Sequence, residues 1–115
     1  MCFDLEENER RCEENRKFNN QLLELFKADM EGLSSKTIRQ HLENADFYIN
    51  GYLLLYGPLT FEQGLSRVFG FLDDYYIRKC GATDYTLKAM AASIKKFYGC
   101  VKDHGNIRNR LYNSV

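Results

Sequence analysis

Apolar residues in this sequence return at intervals of three and four, over stretches interrupted by a single proline, Pro58. That spacing lays side chains along one face of an α-helix, whereas a half-buried strand needs strict alternation, and no useful run alternates. Without proline, such stretches lack the strongest helix breaker. The expected fold is therefore all-α, a compact bundle of four to five helices.

Four segments carry the pattern. The first runs from about Glu6 to Glu31, with Phe18, Leu22, Leu25, Phe26 and Met30 on one face and Gly32 placed for a left-handed cap. Its first half is almost purely charged and reads as a solvated extension. The second opens at Leu33-Ser34-Ser35, where a serine hydroxyl accepts from free N–H groups, and carries Ile38, Leu42, Ala45, Ile49 and Tyr52. Gly57-Pro58 ends it. Thr60 and Gln63 form a capping box for the third, about Phe61 to Lys79, whose wide apolar face is Leu65, Val68, Phe69, Leu72, Tyr76 and Ile77. The fourth is capped by Thr83 or Asp84, carries Leu87, Met90, Ala91, Ile94, Phe97, Tyr98 and Val101, and stops near Gly105. A short last helix is expected within residues 107–115. Gly51, Gly64, Gly70 and Gly99 fall in or near helices, each costing up to ~1 kcal/mol against alanine, with close helix packing as the expected compensation.

With 115 residues, 44% apolar and 28% charged, the chain has the size and mix of one globular domain. The longest apolar stretch, from Gly51 to Leu59, is about half what a membrane span needs, so no membrane partner is expected. Met1-Cys2-Phe3-Asp4 leads into acids, not a basic then apolar region, so the expectation is no export signal and a cytoplasmic location. The four cysteines (Cys2, Cys12, Cys80 and Cys100) lack the spacing of a disulfide scaffold and are expected as free thiols. Cys80, Cys100 and His104 make a poor zinc set without a paired Cys-x-x-Cys, so no metal or cofactor is expected. Asp73 and Asp74 point about 100° apart on a helix and do not converge on a substrate.

Net charge is zero but uneven. Residues 1–31 hold five basic and nine acidic groups, and residues 73–115 hold eight basic and four acidic. The acids and bases from Glu6 to Lys17 suit i,i+4 pairing on a solvated helix. Lys88, Lys95 and Lys102 recur every seven residues, with Lys96 beside them. On any helix such a row is first a solvated face, and a phosphate-binding face second. His41 reads as a half-buried packing residue.

Two segments resemble the N-terminal SAM-like (core-binding) domain of tyrosine recombinases and phage integrases. Gly32-Leu33-Ser34-Ser35-Lys36-Thr37-Ile38-Arg39-Gln40-His41-Leu42 is similar to the family's opening, with His41 where tyrosine is common and Tyr48 where phenylalanine is common. Ala92-Ser93-Ile94-Lys95-Lys96-Phe97-Tyr98, followed by Gly105 and Ile107, is similar to its last core-binding helix. The resemblance implies a charged N-terminal helical extension (1–31), a SAM-like helical domain (32–108) and a tail (109–115). It implies a module of DNA integration and recombination that forms half a clamp around duplex DNA. Ser35, Lys36, Thr37, Arg39 and Gln40 would meet DNA from the second helix, and Lys88, Lys95, Lys96 and Lys102 from the fourth.

The family continues with Asn-Pro and a catalytic domain, but Asn109-Arg110 stands here. The His-x-x-Arg element is absent, because Asn44 follows His41 and Ile107 follows His104 at the third position. No catalytic residue is therefore expected. The chain reads as part of a larger recombinase, with a catalytic domain as partner, or as a lone domain. The alternative is a helical protein-interaction or regulatory module that binds no DNA, marked by a larger exposed apolar patch than a monomer needs.

Overall fold

The computed structural model describes residues 5–55 and 57–103. Helix α1 spans Leu5–Asp29, and α2 spans Ser35–Asp46 and winds on as a π-helical segment, Phe47–Tyr52. A third winding, α3, covers residues 61–80 and α4 covers Asp84–Asp103. No β-strand forms among the described residues beyond the isolated bridge of Glu31 with Leu33, made where Gly32 turns the chain at φ 105°. The expected stop at Gly105, the motif positions His104 and Ile107, the short last helix and the tail lie outside the described residues.

The helix starts follow their caps. Ser34 takes an extended conformation (φ −65°, ψ 151°) and its hydroxyl accepts from the Thr37 N–H at 3.2 Å. Thr60 and Gln63 make the reciprocal capping box: Thr60 Oγ1 accepts from the Gln63 N–H at 3.3 Å, and Gln63 Oε1 accepts from the Thr60 N–H at 2.9 Å. Gly81 closes α3 in the left-handed conformation (φ 59°), which a side chain would strain.

One core joins all four helices. Phe18, Leu22, Phe26 and Met30 come from α1 and the turn that ends it, Ala45, Tyr48, Ile49 and Leu53 from α2 and the turn after it, and Met90, Ile94, Phe97 and Cys100 from α4. Phe26 meets Phe97 edge-on at 5.5 Å between ring centres, and Phe18 lies 5.7 Å from Phe61. The acidic α1 thus packs into the same core as the helices after it.

The third helix keeps half of its expected face, with Val68, Leu72 and Tyr76 partly buried against the core. Leu65, Phe69 and Ile77 are exposed, and the buried residues are Phe61, Gly64 and Phe71. The series Phe61, Gly64, Val68, Phe71, Tyr75 also steps by three and four, and this is the one that turns inward. Phe71 draws it in, with ring centres 4.9 Å from Tyr48 and 4.8 Å from Tyr52. The winding is uneven, passing through a 3-10 turn at Leu65–Arg67 and a π segment at Phe71–Tyr75.

Close packing explains one of the four helical glycines. A Cβ on Gly64 would stand 2.7 Å from the Tyr98 hydroxyl and closer still to Leu53 Cδ1, whereas Gly51, Gly70 and Gly99 face open space. The backbone there is held by two phenols, since Tyr48 donates to the Gly64 carbonyl and Tyr98 to the Phe61 carbonyl. On the other side Asn19, buried within α1, donates to the Ile49 carbonyl at 3.2 Å and to Asn50 Oδ1 at 2.9 Å. It supplies a donor where the π segment interrupts the ordinary i→i−4 ladder.

Candidate functional site

Helices α2 and α4 meet along a polar seam. The buried Ser93 hydroxyl accepts from Asn44 Nδ2 at 3.0 Å, lies 2.8 Å from His41 Nδ1 and donates to the Ala89 carbonyl at 3.1 Å. One hydroxyl proton serves one acceptor, so with Ala89 taking it, His41 is the donor through Nδ1–H. Burial, and then the nearby Lys96 charge, lower the His41 pKa, which fits a neutral ring. The spacing is that of a nucleophile and its base. Ser93, however, is 1% exposed, so a substrate would not reach it.

Beside this seam lies a cleft of about 640 Å³ between α1, α2 and α4. Its walls carry His41, Lys95 and Lys96 together with Asp29, Cys100 and Asp103. The Cys100 thiol donates to Asp29 Oδ2 at 3.0 Å, and burial, then that bond and the Asp29 and Asp103 charges, push its pKa up to about 12. It is a protonated, unreactive thiol at neutral pH. The cleft is two-signed, with Asp29 and Asp103 as exposed on its walls as Lys95 and Lys96. Among the described residues no three His, Cys, Asp or Glu side chains cluster as metal ligands. No described helix is long and apolar enough to cross a membrane.

All nine residues singled out in the sequence for DNA contact are exposed. Lys88, Lys95 and Lys102 drift by about 20° per heptad and so follow one line along α4. Lys95 and Lys96 reach the cleft, while Lys102 borders a separate apolar groove beside Phe61, Leu65 and Tyr98. On α2, Thr37 and Gln40 are engaged locally: Ser34 donates to Thr37 Oγ1 at 2.8 Å, and Gln40 donates to Asn44 Oδ1 at 3.3 Å. Arg39 reaches Glu43 at 4.0 Å, an exposed pair of little energetic weight. The structure therefore brings Lys95, Lys96 and His41 together, and leaves Ser35, Lys36 and Lys88 away from that cleft.

Arg10, Arg16, Arg39 and Arg78 each face a carboxylate within 4.0 Å, whereas Arg11, Arg67, Lys36, Lys88, Lys95, Lys96 and Lys102 form no ion pair among the described residues. Sequence reasoning missed the Asn44–Ser93–His41 seam and the pairing of Cys100 with Asp29. A serine in an otherwise apolar helix face, at Ser93 between Met90 and Phe97, is the signal for the first; nothing local marks the second.

No protein-family model, curated protein sequence or solved structure matches this chain.

Proposed function

We propose that the chain is a non-catalytic module that binds duplex DNA, of the kind the core-binding domains of tyrosine recombinases provide. The observation that carries this reading is the row of lysines on α4 that form no ion pair among the described residues, with Lys95 and Lys96 lining the α2–α4 cleft. An ammonium group with no carboxylate partner gives up nothing to contact a phosphate, and each contact releases a condensed counterion. The exposed start of α2, with Lys36 and Arg39, extends the same chemistry, and Ser35, Thr37 and Gln40 are the polar groups for base edges.

The test is fluorescence anisotropy of a labelled random-sequence duplex titrated with the protein across a salt series. The expected result is micromolar binding that weakens steeply with salt. A flat titration at low salt would exclude the reading.

A second reading, a protein-interaction or regulatory module, is favoured by one observation: Leu65 and Phe69, neighbours on α3, are 62% and 79% exposed. A monomeric DNA binder has no need of them there.

A further inference from the structure

Among the described residues, the cleft beside the polar seam carries two ammonium groups, Lys95 and Lys96 of α4, and two carboxylates, Asp29 of α1 and Asp103 of α4. Cys100 keeps its proton and adds no charge, and α2 brings no ionisable group to these walls except His41. The fixed charges therefore cancel, a poor field for a phosphate. His41, half-buried, is the one group there able to gain a positive charge near neutral pH. The hydrogen bonds of the seam decide what it offers. With the Ser93 proton on the Ala89 carbonyl, the ring donates to Ser93 through Nδ1–H, and its neutral form carries a lone pair at Nε2. Among the described residues Nε2 has no hydrogen-bond partner. A lone pair repels a phosphate oxygen. A proton at Nε2 makes that atom a charged donor and leaves the Nδ1 bond to Ser93 in place.

From this juxtaposition we propose that His41 is a third phosphate contact of the cleft, made only when Nε2 takes a proton from solvent, so that binding of duplex DNA is coupled to proton uptake. The inference rests on the DNA-binding reading and adds to it a residue and a pH response. Without DNA, burial and then the Lys96 charge hold the ring below its ordinary pKa and neutral. A phosphate drawn in by Lys95 and Lys96 offsets that charge and favours the imidazolium. The cleft gains one positive charge as the anion arrives.

The test runs the random-sequence duplex titration from about pH 7.5 down to about pH 5.5, each across a salt series, with the wild type, His41→Gln and His104→Gln. Wild-type affinity should rise at least about threefold over that range, and the slope of log affinity against log salt should steepen by up to about 1. His104→Gln should keep both changes, and His41→Gln should lose them. Calorimetry in two buffers of different ionisation enthalpy counts protons directly. Near about pH 6 it should find uptake approaching one proton per complex in His104→Gln, whose only histidine is His41. That readout stands even if His41→Gln does not fold. Binding that ignores pH, a pH response that survives His41→Gln, or no proton uptake in His104→Gln would overturn the contact and leave the DNA reading standing. A flat titration at every pH would remove the DNA reading, and this inference with it.

Discussion

Ser93 on α4, the helix of the lysine row, and Asn44 on α2 join the two helices, the buried hydroxyl of one accepting from the side-chain amide of the other at 3.0 Å. Because His41 meets the same oxygen at 2.8 Å, the hydroxyl serves two polar partners in a place water barely reaches. Ser93→Ala removes the acceptor and leaves both without it. The expected loss is about 1–3 kcal/mol, read from urea unfolding, even though alanine is the better helix former. A neutral result would mean that Asn44 and His41 find other partners.

The same seam sets a pH dependence. The folded His41 pKa lies below its ordinary value, through burial and then Lys96. Above about pH 7.5 the ring is neutral in both states and the full stability is present. As pH falls through about 6.5 the unfolded chain takes the proton first, so stability is lost from there down toward the folded pKa. Unfolding midpoints measured from pH 7.5 to 5 should fall for the wild type, and His41→Gln should flatten that slope.

Two glycines on one helix should respond in opposite directions. Gly64→Ala drives a methyl into Leu53 and the Tyr98 hydroxyl, at a cost of about 1–3 kcal/mol. Gly70→Ala points into open space from helical backbone (φ −62°, ψ −37°), and should stabilise by up to about 1 kcal/mol. Thermal or urea midpoints of the two variants provide the comparison.

Asn19 is the buried polar residue of α1 and donates to the π segment of α2. Asn19→Leu leaves the Ile49 carbonyl without that donor and should cost about 1–3 kcal/mol, with faster amide exchange over Phe47–Tyr52. Unchanged exchange in that segment would separate the side chain from the π geometry.

The residues that made the fold legible are those whose role is local. Ser34, the Thr60–Gln63 box and Gly81 mark ends that depend on a few neighbouring backbone groups, so sequence spacing alone locates them. The stripes of α1 and α4 were equally plain, because Phe18 to Met30 and Met90 to Phe97 each offer one apolar face. Helix α3 offers two, and periodicity does not choose between Phe71 and Phe69. That choice is made by Tyr48 and Tyr52, which come from another helix and pack at tilted angles against Phe71. The candidate site divides in the same way. The heptad spacing of Lys88, Lys95 and Lys102 shows in the sequence, but the closeness of Lys96 to His41 depends on how α2 packs on α4.

The unpaired lysines are the centre of the functional account, and the most direct test compares the wild type with Lys95→Glu/Lys96→Glu in the duplex anisotropy titration. If Lys95 and Lys96 contact phosphates, the double variant should bind more weakly at low salt, and the slope of log affinity against log salt should fall by about 2. Affinity and slope unchanged by the double reversal would contradict the account, and would remove this face of α4 from any DNA interface.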